Sequence, residues 1–573
     1  MKKIMKTLRT LFIFTLILYS TIVSVYAQTK GVEDETIIVV KPYQATLSDA
    51  FKISETPVRD TSVIIVSELK YVINSAKAET EYTVPEIKPV KIKDEPIPKL
   101  YRSYLKGGVG NYATRYGEFF YNSIRSKNYS AGAHIKHISS QGKIKDVGSP
   151  FYSENFIKGY GERFFNNSTL SGEMSFDRDV VNYYGYDLNL IDDTTFSILK
   201  RKQRFDYFDV AVRYKNNTLK KDQFDYNAGI KFYTLKDKYE NIERNFLFDL
   251  SGGTNVNQFY LGVNTEIDVT NLSDQGDNYK NNIFSIVPYA STKIEALDIS
   301  AGVRFTGISL GHGTKFRFHP DINASFKLVE NYLIVFAEVT GKMHKNNFRT
   351  LTQLNPFYQP NIINGINQEP VIFNSMAANS ETKIDFTTGL KGTFSNSMSY
   401  NTWINYKSIN DLPLFVNNYN EIIANTFILN YDDVNVLNLH GEIGFHQTEK
   451  IRFIAKGDFY KYTMTAEEFP WHYPTSEITL TSTYNLADKI ILKGDIFYVG
   501  KRYAKNILDE NLNPLKPIEL KGYLDLNLGV DYRYTKILSF FFNLNNIGAA
   551  KYQYWNNYPA QRFNILGGLT FAF

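Results

Sequence analysis

The last thirteen residues, Gln561 to Phe573, read QRFNILGGLTFAF and constrain the fold more than any other stretch. Phe563, Ile565, Leu569, Phe571 and Phe573 share the odd register, interrupted by Gly567, while Arg562, Asn564, Gly568, Thr570 and Ala572 hold the even one, with Leu566 as the exception. Successive side chains of a strand point to opposite faces, so this alternation predicts a strand with one greasy side. The same pattern recurs upstream to about residue 100, with no helix-period segment to cover it. Lipid is the natural place for so much outward apolar surface.

Composition agrees. The 573 residues include 42 Tyr and 42 Phe, yet the mean hydropathy is -0.30. A helical membrane protein would not average out that way, whereas barrel strands alternate lipid-facing with lumen-facing residues and add aromatic girdles. After Ala27 no stretch approaches the roughly 18 apolar residues of a spanning helix, so any membrane crossing is made by strands.

Lys2, Lys3, Lys6 and Arg9 precede an apolar run from Leu11 to about Tyr19, and Val25-Tyr26-Ala27 puts small residues where a signal peptidase reads. Cleavage between Ala27 and Gln28 is expected, so residues 1–27 are a signal peptide and the mature chain leaves the cytoplasm. Losing those basic residues lowers the formal charge of +5 by four, a near balance that argues against a nucleic-acid partner. There is no cysteine, hence no disulfide framework, thiolate metal site or lipid-anchor thiol.

Residues 28–100 differ in kind, with fewer rings and a run VPEIKPVKIKDEPIPK, Val84 to Lys99, that reads as an extended periplasmic linker. Near the start of this segment, Glu35, Thr36, Ile37, Ile38, Val39 and Val40 form an acidic-to-apolar stretch that resembles the TonB box. Such a segment can add as a strand to the sheet edge of a periplasmic partner.

From Tyr101 to Phe573 the chain reads as an all-β unit: a closed, transmembrane antiparallel β-barrel of about 22 strands. The clearest alternation sets Phe316, Phe318, Ile322 and Phe326 against Arg317, His319, Asp321 and Asn323, and Leu524 to Tyr534 against Asp525, Asn527, Asp531 and Arg533. Short turns, as at Asn255–Gln258 and Leu486–Lys489, alternate with longer loops at 187–202, 271–281, 345–381, 411–425, 467–476 and 502–517. That rhythm places both ends of the barrel in the periplasm.

Asn543-Leu544-Asn545-Asn546, Tyr552, Tyr558-Pro559, Arg562, Gly567-Gly568 and Phe573 together resemble the last two strands of the TonB-dependent receptor β-barrel family. The resemblance implies an outer-membrane location, lipid as surroundings, and engagement of Phe563, Phe571 and Phe573 by the barrel-assembly machinery. It also implies a plug domain after the box, yet the stretch from Val40 to Tyr101 is too short to hold one. TonB coupling and a periplasmic or lipoprotein partner are therefore both open.

No catalytic constellation or cofactor motif is found, so an enzyme is not expected. The histidines are His134, His137, His312, His319, His344, His440, His446 and His472. His134 and His137 are three apart, so a strand aims them to opposite faces and they cannot share a metal. Gly107-Gly108-Val109-Gly110 lacks the helix and Gly-Lys-Ser/Thr of a phosphate loop. Arg452, Lys456, Asp458, Lys493, Asp495, Asp525, Asp531 and Arg533 are expected to face the lumen, lining a polar path or forming a salt-bridged wall. The loop 345–381 is long enough to be functional, either folded inward or presenting an outer surface.

A lumen of about 22 strands is too wide for wall side chains to shut. Residues 28–100, the long loops or a separate protein must close it. Gated passage of solutes is the first expectation; a non-transporting scaffold of an envelope or secretion complex is the alternative.

Overall fold

In the computed structural model the chain divides into two units, Met1–Asp94 and Glu95–Phe573. The structure describes residues 100–188, 202–217, 223–274, 277–310, 313–359, 363–364, 370–371, 378–419, 424–448, 450–506 and 515–573, all in the second unit. The Ala27–Gln28 cleavage site, the stretch Glu35–Val40, the proline-rich linker and His312 lie outside them.

Twenty-two strands form one sheet. Its first eight are β1 Ser103–Gly110, β2 Arg115–Asn122, β3 Tyr129–Ser140, β4 Tyr152–Phe164, β5 Ser168–Asn182, β6 Lys202–Asn216, β7 Asp225–Asp237 and β8 Ile242–Val256. Then come β9 Phe259–Asp274, β10 Asp277–Ile294, β11 Leu297–Leu310, β12 Thr314–Val329, β13 Leu333–His344, β14 Ser380–Ser395 and β15 Met398–Asn417. The last seven are β16 Phe427–Gln447, β17 Ile451–Met464, β18 Ser476–Leu486, β19 Ile490–Val499, β20 Tyr523–Arg533, β21 Leu538–Asn545 and β22 Asn564–Ala572. Each pairs antiparallel with its neighbour in sequence, and β1 pairs with β22, so no edge remains.

The closing seam is built from small residues. Gly108 faces Gly568 across it, and Phe541 of β21, 3% exposed, lies over the pair. A Cβ on Gly568 would stand 2.0 Å from the Gly107 carbonyl oxygen, and one on Gly108 would stand 2.8 Å from the Phe541 ring. Ser103 and Phe573 then exchange backbone hydrogen bonds of 2.9 and 3.0 Å.

The two faces of the wall separate by alternation. Met174, Val210, Phe232, Phe246 and Val269 occupy one level of the ladder on five consecutive strands, all on the outer face. Met174, Phe232, Phe246 and Val269 are each more than 40% exposed, a surface that water does not favour and hydrocarbon does. The opposite face carries ion pairs between strands, among them Arg213 of β6 with Asp249 of β8 at 2.8 Å, reaching over Gly229 of β7, and Lys158 with Glu173 at 2.7 Å. Every backbone group of such a closed sheet is paired within it, which is what a membrane demands of strands. The protein is an outer-membrane β-barrel.

Three elements depart from the sequence reading. Residues 271–281 are not a loop: β9 and β10 continue to Asp274 and Asp277, which are paired. Likewise β15 runs to Asn417, past a bulge at Asp411, and β16 begins at Phe427. At the β15–β16 end Pro413 to Asn417 and Phe427 are all buried, so no alternation of an apolar with a polar face marks the strand there. The third departure is a short helix of about two turns, α1 Phe348–Leu354, inside an all-β chain.

Candidate functional site

The loops at the end of the barrel opposite Ser103 and Phe573 fold together. Their core is aromatic: Tyr183 after β5, Phe348, Leu351, Phe357 and Tyr358 between β13 and β14, Phe415 and Phe427 at the β15–β16 hairpin, and Tyr558 between β21 and β22. The Phe357 ring stacks on Tyr558 at 3.7 Å, and Tyr184 meets Tyr558 edge-on at 4.9 Å. The β13–β14 and β15–β16 hairpins are neighbours in the sheet, whereas β5 and the β21–β22 hairpin lie elsewhere on the circumference. Hydrophobic burial in this cluster therefore joins hairpins that the sheet itself keeps apart.

Polar contacts fix the register of the cap. The Asn425 amide donates to the Tyr183 carbonyl at 3.1 Å, the Asn556 amide donates to Asn417 Oδ1 at 3.0 Å, and the Tyr558 hydroxyl donates to the Asn425 carbonyl. A two-residue ladder of Gln553–Trp555 with Tyr558–Pro559 shapes the last loop.

The start of α1 is latched to the wall. Glu243 of β8 accepts from the backbone N–H of Phe348 at 2.7 Å and of Arg349 at 3.2 Å, while Asn347 caps Thr350 at 2.8 Å. These are the N–H groups a helix cannot satisfy itself. Tyr233 of β7 donates to the same carboxylate at 2.8 Å and accepts from Asn347 at 2.9 Å. The Arg349 guanidinium lies 3.5 Å from the Tyr207 ring centroid, a cation–π contact. Lys345 reaches Asp268 at 2.7 Å, and burial pulls its ammonium below the usual lysine range against the opposing pull of Asp268.

A second junction lies at His472, between β17 and β18. Its Nδ1 donates to the Phe415 carbonyl at 3.0 Å, and its Nε2 accepts from the Asn556 N–H at 3.3 Å. That pattern requires the neutral ring. Burial, reinforced by the Arg502 charge and opposed by the Phe415 hydrogen bond, pushes its pKa down to about 3.

Below the cap the wall leaves cavities. One of about 520 Å³ is bordered by Glu154, Asp177, Asp179, Phe205, Tyr207 and Arg349. Another of about 480 Å³ is bordered by Glu266, Arg304, Thr306, Lys342 and His344. Among the described residues, no three His, Asp or Glu side chains form a metal-holding group.

The residues singled out in the sequence are only partly brought together. Lys493 and Asp531 pair at 2.5 Å, Asp458 meets His440 at 2.9 Å, and Asp525 accepts from Tyr552 at 2.7 Å. Arg452, Lys456 and Asp495 stand elsewhere on β17 and β19, and Arg533 ends β20 with a 3.5 Å contact to the Asp488 carbonyl. His134 meets Glu118 at 3.0 Å and His137 meets Asn155 at 2.7 Å, on opposite faces of β3. Phe571 and Phe573 stack at 5.4 Å, whereas Phe563 lies outside β22, with its carbonyl taken by Asn111. Glu243 and Tyr233 carry no local signal in the sequence, and nothing there sets His472 apart from the other histidines. For the cap, the run NPFYQP beginning at Asn355 was the one visible mark.

No family model matches the sequence, and no curated protein matches it. Solved structures do. The FrpB iron transporter from Neisseria meningitidis superposes with a TM-score of 0.64 at 9% identity, covering 83% of this chain and 82% of that one. The siderophore receptor PirA from Acinetobacter baumannii gives 0.64 at 12% identity, covering 84% and 81%. The ferric enterobactin receptor from Pseudomonas aeruginosa gives 0.61 at 12%, covering 82% and 80%. The fold is that of the TonB-dependent receptor barrels, as the final hairpin implied.

Proposed function

We propose that this barrel admits solutes across the outer membrane through a lumen whose outer mouth is shut by its own loops. The observation that carries the reading is the stacking of Phe357 on Tyr558, which closes loops from separate parts of the wall by contacts that can be undone. A permanently sealed barrel would have no use for cavities lined by charges beneath such a cap. The structural neighbours include an iron transporter and siderophore receptors, which supports metal chelates as the solute class.

Within this reading Glu35 to Val40 are the segment that TonB pairs with. Phe563, Phe571 and Phe573 address the chain to the barrel-assembly machinery. Swelling of proteoliposomes in solutes of graded size tests the reading. Wild-type protein is expected to be nearly tight, and a Phe357→Ala/Tyr558→Ala variant to admit solutes up to a size limit. Equal tightness of both, together with purification in a fixed complex with other envelope proteins, would favour the scaffold instead.

A further inference from the structure

The outer face of β5–β10 changes character abruptly near its outer edge. The level of Met174, Val210, Phe232, Phe246 and Val269 is apolar across β5–β9, with Asn282 following on β10. One level higher, Phe176, Phe208 and Thr234 lead to Arg244, then Asn271 and Lys280, all in continuous register. The level above that aligns Arg178, Asp206 and Lys236, and Arg204 sits above them opposite Val180. Lys202 tops β6. Arg178, Lys202, Lys236, Arg244 and Lys280 are exposed.

Six cations thus stand on the outer face of adjacent strands, within eight residues of the apolar level on the side away from Ser103 and Phe573. Among the described residues of β5–β10, alternation places a single carboxylate on this face, Asp206, which holds Arg178 at 2.5 Å and Arg204 at 3.0 Å. It neutralises one charge and spreads two guanidinium planes side by side. The lumen is different: there carboxylates face the cations of these strands, as in Lys158–Glu173, Lys231–Asp209 and Arg213–Asp249. An unbalanced cluster at the depth where acyl chains end and headgroups begin is attracted to anionic lipid. The long side chains can also run along the apolar belt while keeping their charged ends at headgroup level.

We propose that this face is a docking site for the phosphorylated headgroup of an outer-leaflet lipid. The phosphate oxygens would accept from Arg and Lys donors while the acyl chains lie on Met174, Phe232, Phe246 and Val269. Arginine supplies the forked donors that suit phosphate. The site owes nothing to what passes through the lumen.

The test uses the full chain in mild detergent, with binding of diphosphoryl lipid A compared with its dephosphorylated form. The variant is Lys202→Gln, Lys236→Gln, Arg244→Gln and Lys280→Gln together, exposed positions whose loss leaves the ladder intact; heat-modifiable migration on gels verifies folding. Wild-type protein is expected to hold the phosphorylated lipid, to lose it as salt rises, and to bind it roughly tenfold or more tightly than the variant does. Inorganic phosphate at millimolar concentration is expected not to compete. Equal retention by folded variant and wild type, equal retention of the dephosphorylated lipid, or displacement by inorganic phosphate would each overturn the proposal. If the variant fails to fold, the wild-type salt dependence and the comparison of the two lipids decide.

Discussion

The ring of Phe357 lies on the ring of Tyr558, with centroids 3.7 Å apart and planes 21° from parallel. One belongs to the loop between β13 and β14, the other to the loop between β21 and β22. Tyr558 is 1% exposed and Phe357 9%, so the contact is the dry centre of the cap.

Replacing Phe357 by Ala removes one face of that stack. Loss of a buried ring of this size costs about 3–5 kcal/mol of local stability. Because the sheet does not depend on the contact, the expected outcome is an unchanged barrel with a loosened cap, seen as intact heat-modifiable migration together with faster proteolysis of the loops.

Glu243→Ala should release α1 at its start. Three donors lose their acceptor at once, the N–H groups of Phe348 and Arg349 and the Tyr233 hydroxyl. Each buried donor left unmet costs about 1–3 kcal/mol. Trypsin is expected to cut after Lys345 or Arg349 in the variant and to spare both in the wild type. Glu243→Gln keeps an acceptor oxygen and should lie between them.

Acid should open the cap through His472. Its folded pKa of about 3 lies below the ordinary value of 6.5, so the opened loop binds a proton that the closed one refuses. The closed state is at full stability above pH 6.5 and weakens by about 1.4 kcal/mol per unit as the pH falls toward 3. Trp555, whose ring is 5.0 Å from His472, reports the change by fluorescence. In His472→Gln that dependence between pH 6 and 4 should largely vanish.

Gly568→Val should prevent closure of the seam. Even a Cβ would meet the Gly107 oxygen at 2.0 Å and the Gly108 Cα at 2.6 Å, both backbone atoms that cannot step aside. The variant is expected to remain unfolded on heat-modifiability gels, while Gly107→Ala, where the added carbon meets nothing within 4 Å, should fold.

The barrel was legible because lipid and lumen impose opposite demands on alternate residues, and strands such as β12 and β20 record both. Where that opposition ends the pattern fades: above the lipid, the paired residues around Asp274 and Asp277 look like any polar loop. Phe563 continues the odd register of the final strand, yet the sheet has already let go of it, since Asn111 takes its carbonyl before β22 begins. The cap was hidden for a different reason. It joins Tyr183, Phe357, Phe427 and Tyr558 from hairpins far apart in the chain, and no local period encodes such a meeting.

Single-channel conductance in planar bilayers tests the gated lumen most directly, using wild-type protein and the Phe357→Ala/Tyr558→Ala variant, each with and without residues 28–100. Opening of the cap is expected to raise conductance, most of all where residues 28–100 are also removed. Four folded proteins that all fail to conduct would contradict a passage through this barrel.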